Sequence, residues 1–469
     1  MSYSIQSEEA HKASALTVVS GATMLALVVF TVPLTSLAPS AESLAAGPAL
    51  QAWILSGMPL GAAAGLLGAG SLGDNHSRRA VFLWGLAILV AASALGALAP
   101  TGLVLVAARI IQGLGSAAVL ACGLGLLGQV FRDEHERTRA TGIWAAALGA
   151  GVACGPILAA LLTAFSGWRA AYAGTAWLAL ALLLAGRNAL PATQVARTGR
   201  FDWAGAVLLL AGLSALMSGL TQSRLGWAQP TTLLLLCIGG ACLAAFVLVE
   251  IRHQQPVLDF SLFRYPDFVG ATVAAFASGA GVLALMTLVP TLLQRSMHVG
   301  ALLAALVLLA WSVTSVVTAL GSRWLLVRHS PRILLTLGLV ACGVAQLMLI
   351  APQPDASLLP LLPALVLAGA ANGVLNAALG KQAVSSVPAH LSAMGSGANN
   401  TARYLGSAIG ITLGAVLIAH GEEAGAAPGL LWGWDQAVSV TASFSLLGAL
   451  VVMFSRERVV AVEQCCEQA

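Results

Sequence analysis

Gly70-Ser71-Leu72-Gly73-Asp74-Asn75-His76-Ser77-Arg78-Arg79-Ala80-Val81-Phe82 is a short charged loop caught between two long apolar runs. Asp74 and the pair Arg78–Arg79 are almost the only charges between Gln51 and Ala108. Gly70 and Gly73 are expected to end a helix and let the backbone turn tightly. A loop this short cannot fold alone, so its charges must pair with neighbouring helix ends. At the least it is a positive loop that sets membrane topology. The sharper expectation is a loop that latches two helix bundles together.

Working outward, the 469 residues are 58% hydrophobic and only 9% charged, where a soluble protein carries about 25%. Runs of Leu, Ala, Val and Gly recur, each long enough to cross a ~30 Å hydrocarbon core as a helix. No alternating polarity marks a barrel strand. The fold class is an all-α polytopic membrane protein. The net charge of +4 follows from topology, and no basic tract calls for nucleic acid. The seven Cys have no metal spacing: five sit in apolar runs, and Cys465–Cys466 lie in the tail. No cofactor is expected, and the absence of a nucleophile–base pair or nucleotide loop argues against an enzyme.

Fourteen spans are expected, at about 15–37, 50–71, 80–99, 102–130, 139–163, 169–187, 203–221, 231–250, 267–293, 300–325, 332–351, 358–381, 397–420 and 437–455. Of 22 Lys and Arg, Arg109 and Arg403 fall within spans and Arg169, Arg224 and Arg295 on one side. The other seventeen share the opposite side, which makes both termini cytoplasmic. Ser77-Arg78-Arg79 after the second span is echoed by Ser330-Pro331-Arg332 after the tenth. That suggests six spans (1–190), two inserted helices (191–265) and six more (266–469), since repeated halves around a midplane site are one way transporters are built.

Several stretches carry polar chemistry where it is expensive. Arg109-Ile-Ile-Gln112-Gly113 lies in the fourth span. A charge there costs about 2.5–3.5 kcal/mol at the helix centre, so Arg109 must face the bundle or a wet cavity, with Gln112 on the same face. Gly151-Val-Ala-Cys-Gly155-Pro156 in the fifth span combines close-packing glycines with a helix-bending proline. Asn372 and Asn376, four apart, must point inward. Trp53, Trp144, Trp311 and Arg403 are the other candidate cavity residues, although packing or interfacial anchoring is the commoner use of Trp.

Taken together these stretches resemble the major facilitator superfamily, and within it the fourteen-helix drug:proton antiporters. Gly70, Leu72, Asp74, Arg78 and Arg79 match its cytoplasmic loop, with Ser77 replacing a glycine. Arg109, Gln112 and Gly113 resemble a motif linked there to proton transfer. Gly151, Gly155 and Pro156 resemble the antiporter motif, with Ala159 and Ala160 in place of glycines. Asp202 with Gly205, and Gly406 with Gly410, are similar to two subgroup motifs. The resemblance implies a monomeric exporter of small amphiphiles in the plasma (inner) membrane, working by alternating access, with a proton as coupling ion.

One departure bears on that coupling. The resemblance places an aspartate in the first span, and this chain has Met24 there, with only Pro33 kept. No carboxylate lies near any midplane on these boundaries, which leaves an uncoupled or differently coupled transporter as the alternative, beside a membrane sensor that kept the fold. With Arg109 and Arg403 the only intramembrane charges, neutral or anionic amphiphiles are expected over cations.

Overall fold

A computed structural model of the chain describes residues 2–73, 77–131, 133–191, 202–223, 226–252, 258, 260–322, 325, 328–352, 358–387, 392–424 and 426–455. Among these residues every element is helical. The first seven are α1 (Ser2–Thr31), α2 (Pro33–Ser43), α3 (Pro48–Leu72), α4 (Arg78–Ala97), α5 (Gly102–Val130), α6 (Glu134–Ser166) and α7 (Trp168–Ala189). A pair follows, α8 (Trp203–Gln222) and α9 (Pro230–Arg252). The rest are α10 (Pro266–Ser278), α11 (Ala284–Arg295), α12 (Ala301–Gly321), α13 (Pro331–Leu347), α14 (Leu361–Ser385), α15 (Ser392–Ala424) and α16 (Ala426–Phe454). Among the described residues thirteen spans are long and apolar enough to cross a membrane, α10 and α11 counting as one; α13 is a shorter apolar helix.

Three expected boundaries shift for visible reasons. The first span breaks at Val32, because Pro33 has no N–H and opens α2 instead. The ninth carries a π-helical turn, Gly279–Leu283, between α10 and α11. The eleventh stops at Leu347: Trp434 Nε1 donates to Leu349 O at 2.8 Å, and Asp435 accepts from Ala351 N at 2.8 Å, so side chains replace the next helical turn.

The loop glycines do not turn the chain as expected. Gly70 lies inside α3 with open space where a Cβ would stand, and Gly73 is still helical (φ −64°, ψ −41°). What Gly73 supplies is clearance, since a Cβ there would press on Cys122 Sγ at 2.7 Å.

α1 packs on α6, α3 and α4 on α5, and α4 on α7; α12 and α13 pack on α14, and α15 on α16. The two groups meet where α3 runs along α15 and α6 crosses α12. α8 pairs with α9 and leans on both α3 and α15. Leu209, Leu213 and Met217 of α8 thereby share one apolar cluster with Leu60 of α3 and Tyr404 of α15. Lipid tails are as apolar as these side chains, so close packing and polar bonds hold the helices together.

Candidate functional site

α5 carries Arg109 into the interior, where it is fully buried. Its Nη1 donates to Val29 O at 2.6 Å and Gln112 Oε1 at 2.9 Å, Nη2 to Phe30 O at 3.2 Å, and Nε to Ile54 O at 3.1 Å. Gln112 passes the chain on, donating to Ser93 Oγ at 2.9 Å. Among the described residues no carboxylate takes part, and the charge is met by carbonyl dipoles. Pro33 explains one of them: in an unbroken helix residue 33 would donate to Val29 O, and proline leaves that oxygen for Arg109. Gly113 lets α5 lie directly on α3, where a Cβ would collide with Met58 O.

The glycines of α6 do the same against the first span. A Cβ on Gly151 would strike Met24 O, and one on Gly155 would strike Thr31 Oγ1. Pro156 sits within α6 and its carbonyl accepts from Thr35 Oγ1 at 3.1 Å. Met24, at the expected aspartate position, therefore abuts the antiporter-like helix.

The polar group on the other side of the seam is built by α12, α14 and α15. Asn372 is buried and donates to Ser315 Oγ at 3.0 Å. Arg403 donates from Nη1 to Asn376 Oδ1 at 3.1 Å and from Nη2 to Asn400 Oδ1 at 3.2 Å. Its guanidinium lies 5.6 Å from the Tyr404 ring, and Tyr404 meets Phe30 edge-on at 6.4 Å across the seam. Phe30, Tyr404 and Asn400 carried no motif signal. Their role follows only from the helices that meet there.

Gly406 and Gly410 seat α15 against the π-helical turn; a Cβ on either would collide with Phe276 O or Ala280 O. Asp202 caps α8, accepting from Gly205 N at 2.8 Å, and Gly205 leaves the room its carboxylate occupies. Trp311 is buried in the core cluster rather than on an open wall, and Trp53 and Trp144 are half-buried beside core residues.

In the Gly70–Phe82 loop, Asp74 lies outside the described residues. Ser77 caps α4 by accepting from Ala80 N at 3.2 Å, the use found for the residue that replaces glycine. Arg79 donates to Arg187 O at 2.6 Å at the end of α7, and Arg78 lies over Gly125 of α5. Arg79 thus binds a helix of its own bundle, and Arg78 lies against another. At the opposite end of the molecule Gln294 of α11 donates to Leu34 O of α2 at 3.3 Å, across the seam. A cavity of about 410 Å³ opens beside it, lined by Leu37, Glu42, Gln51, Gln294 and Arg295 among others.

Long apolar helices in two packed groups, with a fully buried guanidinium in one and a half-buried guanidinium in the other near their seam, define a polytopic helical membrane protein of the transporter kind. The profile of the Major Facilitator Superfamily matches residues 18–411, and the chain belongs to that family. It is 30% identical to the multidrug efflux pump LfrA of Mycolicibacterium smegmatis over 81% of this chain and 75% of that protein. It is 29% identical to the puromycin resistance protein pur8 of Streptomyces alboniger over 85% and 82%. It is 30% identical to the cephamycin export protein CmcT of Amycolatopsis lactamdurans over 82% and 81%. Among solved structures, the human organic anion transporter MFSD10 (TETRAN) superposes with a TM-score of 0.63, covering 94% of this chain and 99% of that one at 17% identity.

Proposed function

We propose that this chain is a drug exporter of the major facilitator type, moving small amphiphiles outward by alternating access. The observation that carries it is the likeness, over most of the chain, to proteins named for drug efflux and antibiotic resistance or export. The reading includes fourteen spans arranged six, two and six, with both termini cytoplasmic and the monomer as working unit in the plasma membrane. Asp74, Arg78 and Arg79 serve as cytoplasmic latch, Arg109 and Gln112 as the buried polar pair, and Gly151, Gly155 and Pro156 as the close-packing helix. Cargo binds between the bundles, near Trp53, Asn372, Asn376 and Arg403.

The driving ion is the second question. Met24 in place of an acid, and an Arg109 satisfied wholly by neutral oxygens, favour an exporter coupled through another group or not coupled. Accumulation of a compound panel in cells with and without the protein, and with and without an uncoupler, tests both parts. Lower accumulation that depends on the protein supports export, and its loss with uncoupler supports proton coupling. Equal accumulation across the panel would end the export reading.

A further inference from the structure

The two intramembrane guanidiniums differ in how fully the protein uses them. Arg109 makes four hydrogen bonds and is sealed from any solvent. Arg403 is only half-buried, although it stands within the Met394–Glu422 span. It donates to two neutral amide oxygens and engages the neutral Tyr404 hydroxyl, and its enclosed Nε has no acceptor among the described residues. Among the described residues no carboxylate is its partner. Asn376 and Asn400 hold the fork by their oxygens, and the Tyr404 hydroxyl lies within its reach.

A guanidinium fixed in this way matches a carboxylate, which accepts two parallel bonds from it. The low-dielectric surroundings strengthen that attraction relative to water. Beside the fork lies the Tyr404 ring, in edge contact with Phe30 of the first span. An acid on Arg403 would therefore have an aromatic, apolar neighbour on the seam of the two bundles. We infer that Arg403, held by Asn376 and Asn400, is the head-group site for a carboxylate-bearing aromatic amphiphile. This rests on the export reading above and narrows its cargo.

Naphthaleneacetate and naphthaleneacetamide have nearly the same shape and differ by one charge, which makes them suitable probes. Binding to the purified full-length protein is followed by thermal shift, and export by loading of proteoliposomes. The wild type binds the acid about tenfold more tightly than the amide, the value of one charge-assisted bond. Arg403→Gln brings the acid down to the affinity of the amide in the same variant, while Arg403→Lys keeps part of the preference as a point charge. Equal binding of acid and amide by the wild type, or no binding of the acid, overturns the inference, as does a preference that survives Arg403→Gln. If Arg403→Gln does not fold, the wild-type comparison decides alone. Acid preference without export of any panel compound would sink the export reading and spare the site. Export of the panel with no acid preference would do the reverse.

Discussion

Arg109 shows how much of an interior a single residue can hold together. Four acceptors converge on it, and each acceptor left unpaired in a dry interior costs about 1–3 kcal/mol. Arg109→Met is therefore expected to destabilise the purified protein by at least ~3 kcal/mol, read as a lower midpoint of thermal unfolding. Arg109→Lys, which reaches fewer acceptors, falls between. Pro33 provides the subtler case. Pro33→Ala returns an N–H that competes with Arg109 for Val29 O. Stability should change by no more than about 1 kcal/mol, while export slows by about tenfold if the Arg109 bond, worth about 1.5–3 kcal/mol, is used in the cycle. Equal export by Pro33→Ala would show that the freed carbonyl is only structural. The sequence marked Arg109, Gln112 and Pro33 separately, the first two by the cost of polarity in a span. It could not join them, because the linking atoms belong to the main chain.

At the scale of elements, the glycines of α15 explain a spacing that the sequence displayed without a reason. Gly406 and Gly410 face the π-helical turn, and the wider backbone of that turn needs the room. Gly410→Ala should destabilise by about 1–3 kcal/mol through overpacking, since its Cβ would also stand 2.6 Å from the Ala284 side chain. Gly380→Ala is the matched control: no atom lies within 4 Å of the added Cβ, and removing a helical glycine gains about 0.5–1 kcal/mol. Opposite signs in thermal unfolding are the expected outcome; equal shifts would mean that α15 is free to back away from the turn. The lengths of the spans were legible from apolar runs. Their breaks were less so: Pro33 announced itself, but the π-helical turn did not, because it is imposed by the neighbour against which it packs.

Across the whole molecule, the seam between the bundles is the feature that the proposed alternating access would have to move. It is lined by α3 and α15 along their length, and the space where a Cβ on Gly397 would sit lies 3.6 Å from Leu67. A Leu67→Cys, Gly397→Cys pair, placed in a background without the seven native cysteines and joined by a short bifunctional thiol reagent, should stop export. Reduction of a cleavable linker should restore it. Continued export by the linked protein would exclude rocking at this seam. The pair α8 and α9 belongs to the same scale, since α8 rests on both α3 and α15 and covers their line of contact.

Apolar runs, scarce charges and glycine spacings are written along the chain, so they settled by themselves that it is helical, membrane-spanning and similar to a transporter family. They also singled out Arg109, Arg403 and the glycines that carry close contacts. Only the tertiary structure decided that Arg109 is answered by carbonyls of the broken first span, and that Arg403 is held by neutral oxygens beside an aromatic pair on the seam. The reason is physical. Periodicity and insertion cost are local properties of residue order, whereas a hydrogen bond between distant helices depends on which backbone atoms meet, and those atoms are the same in every residue.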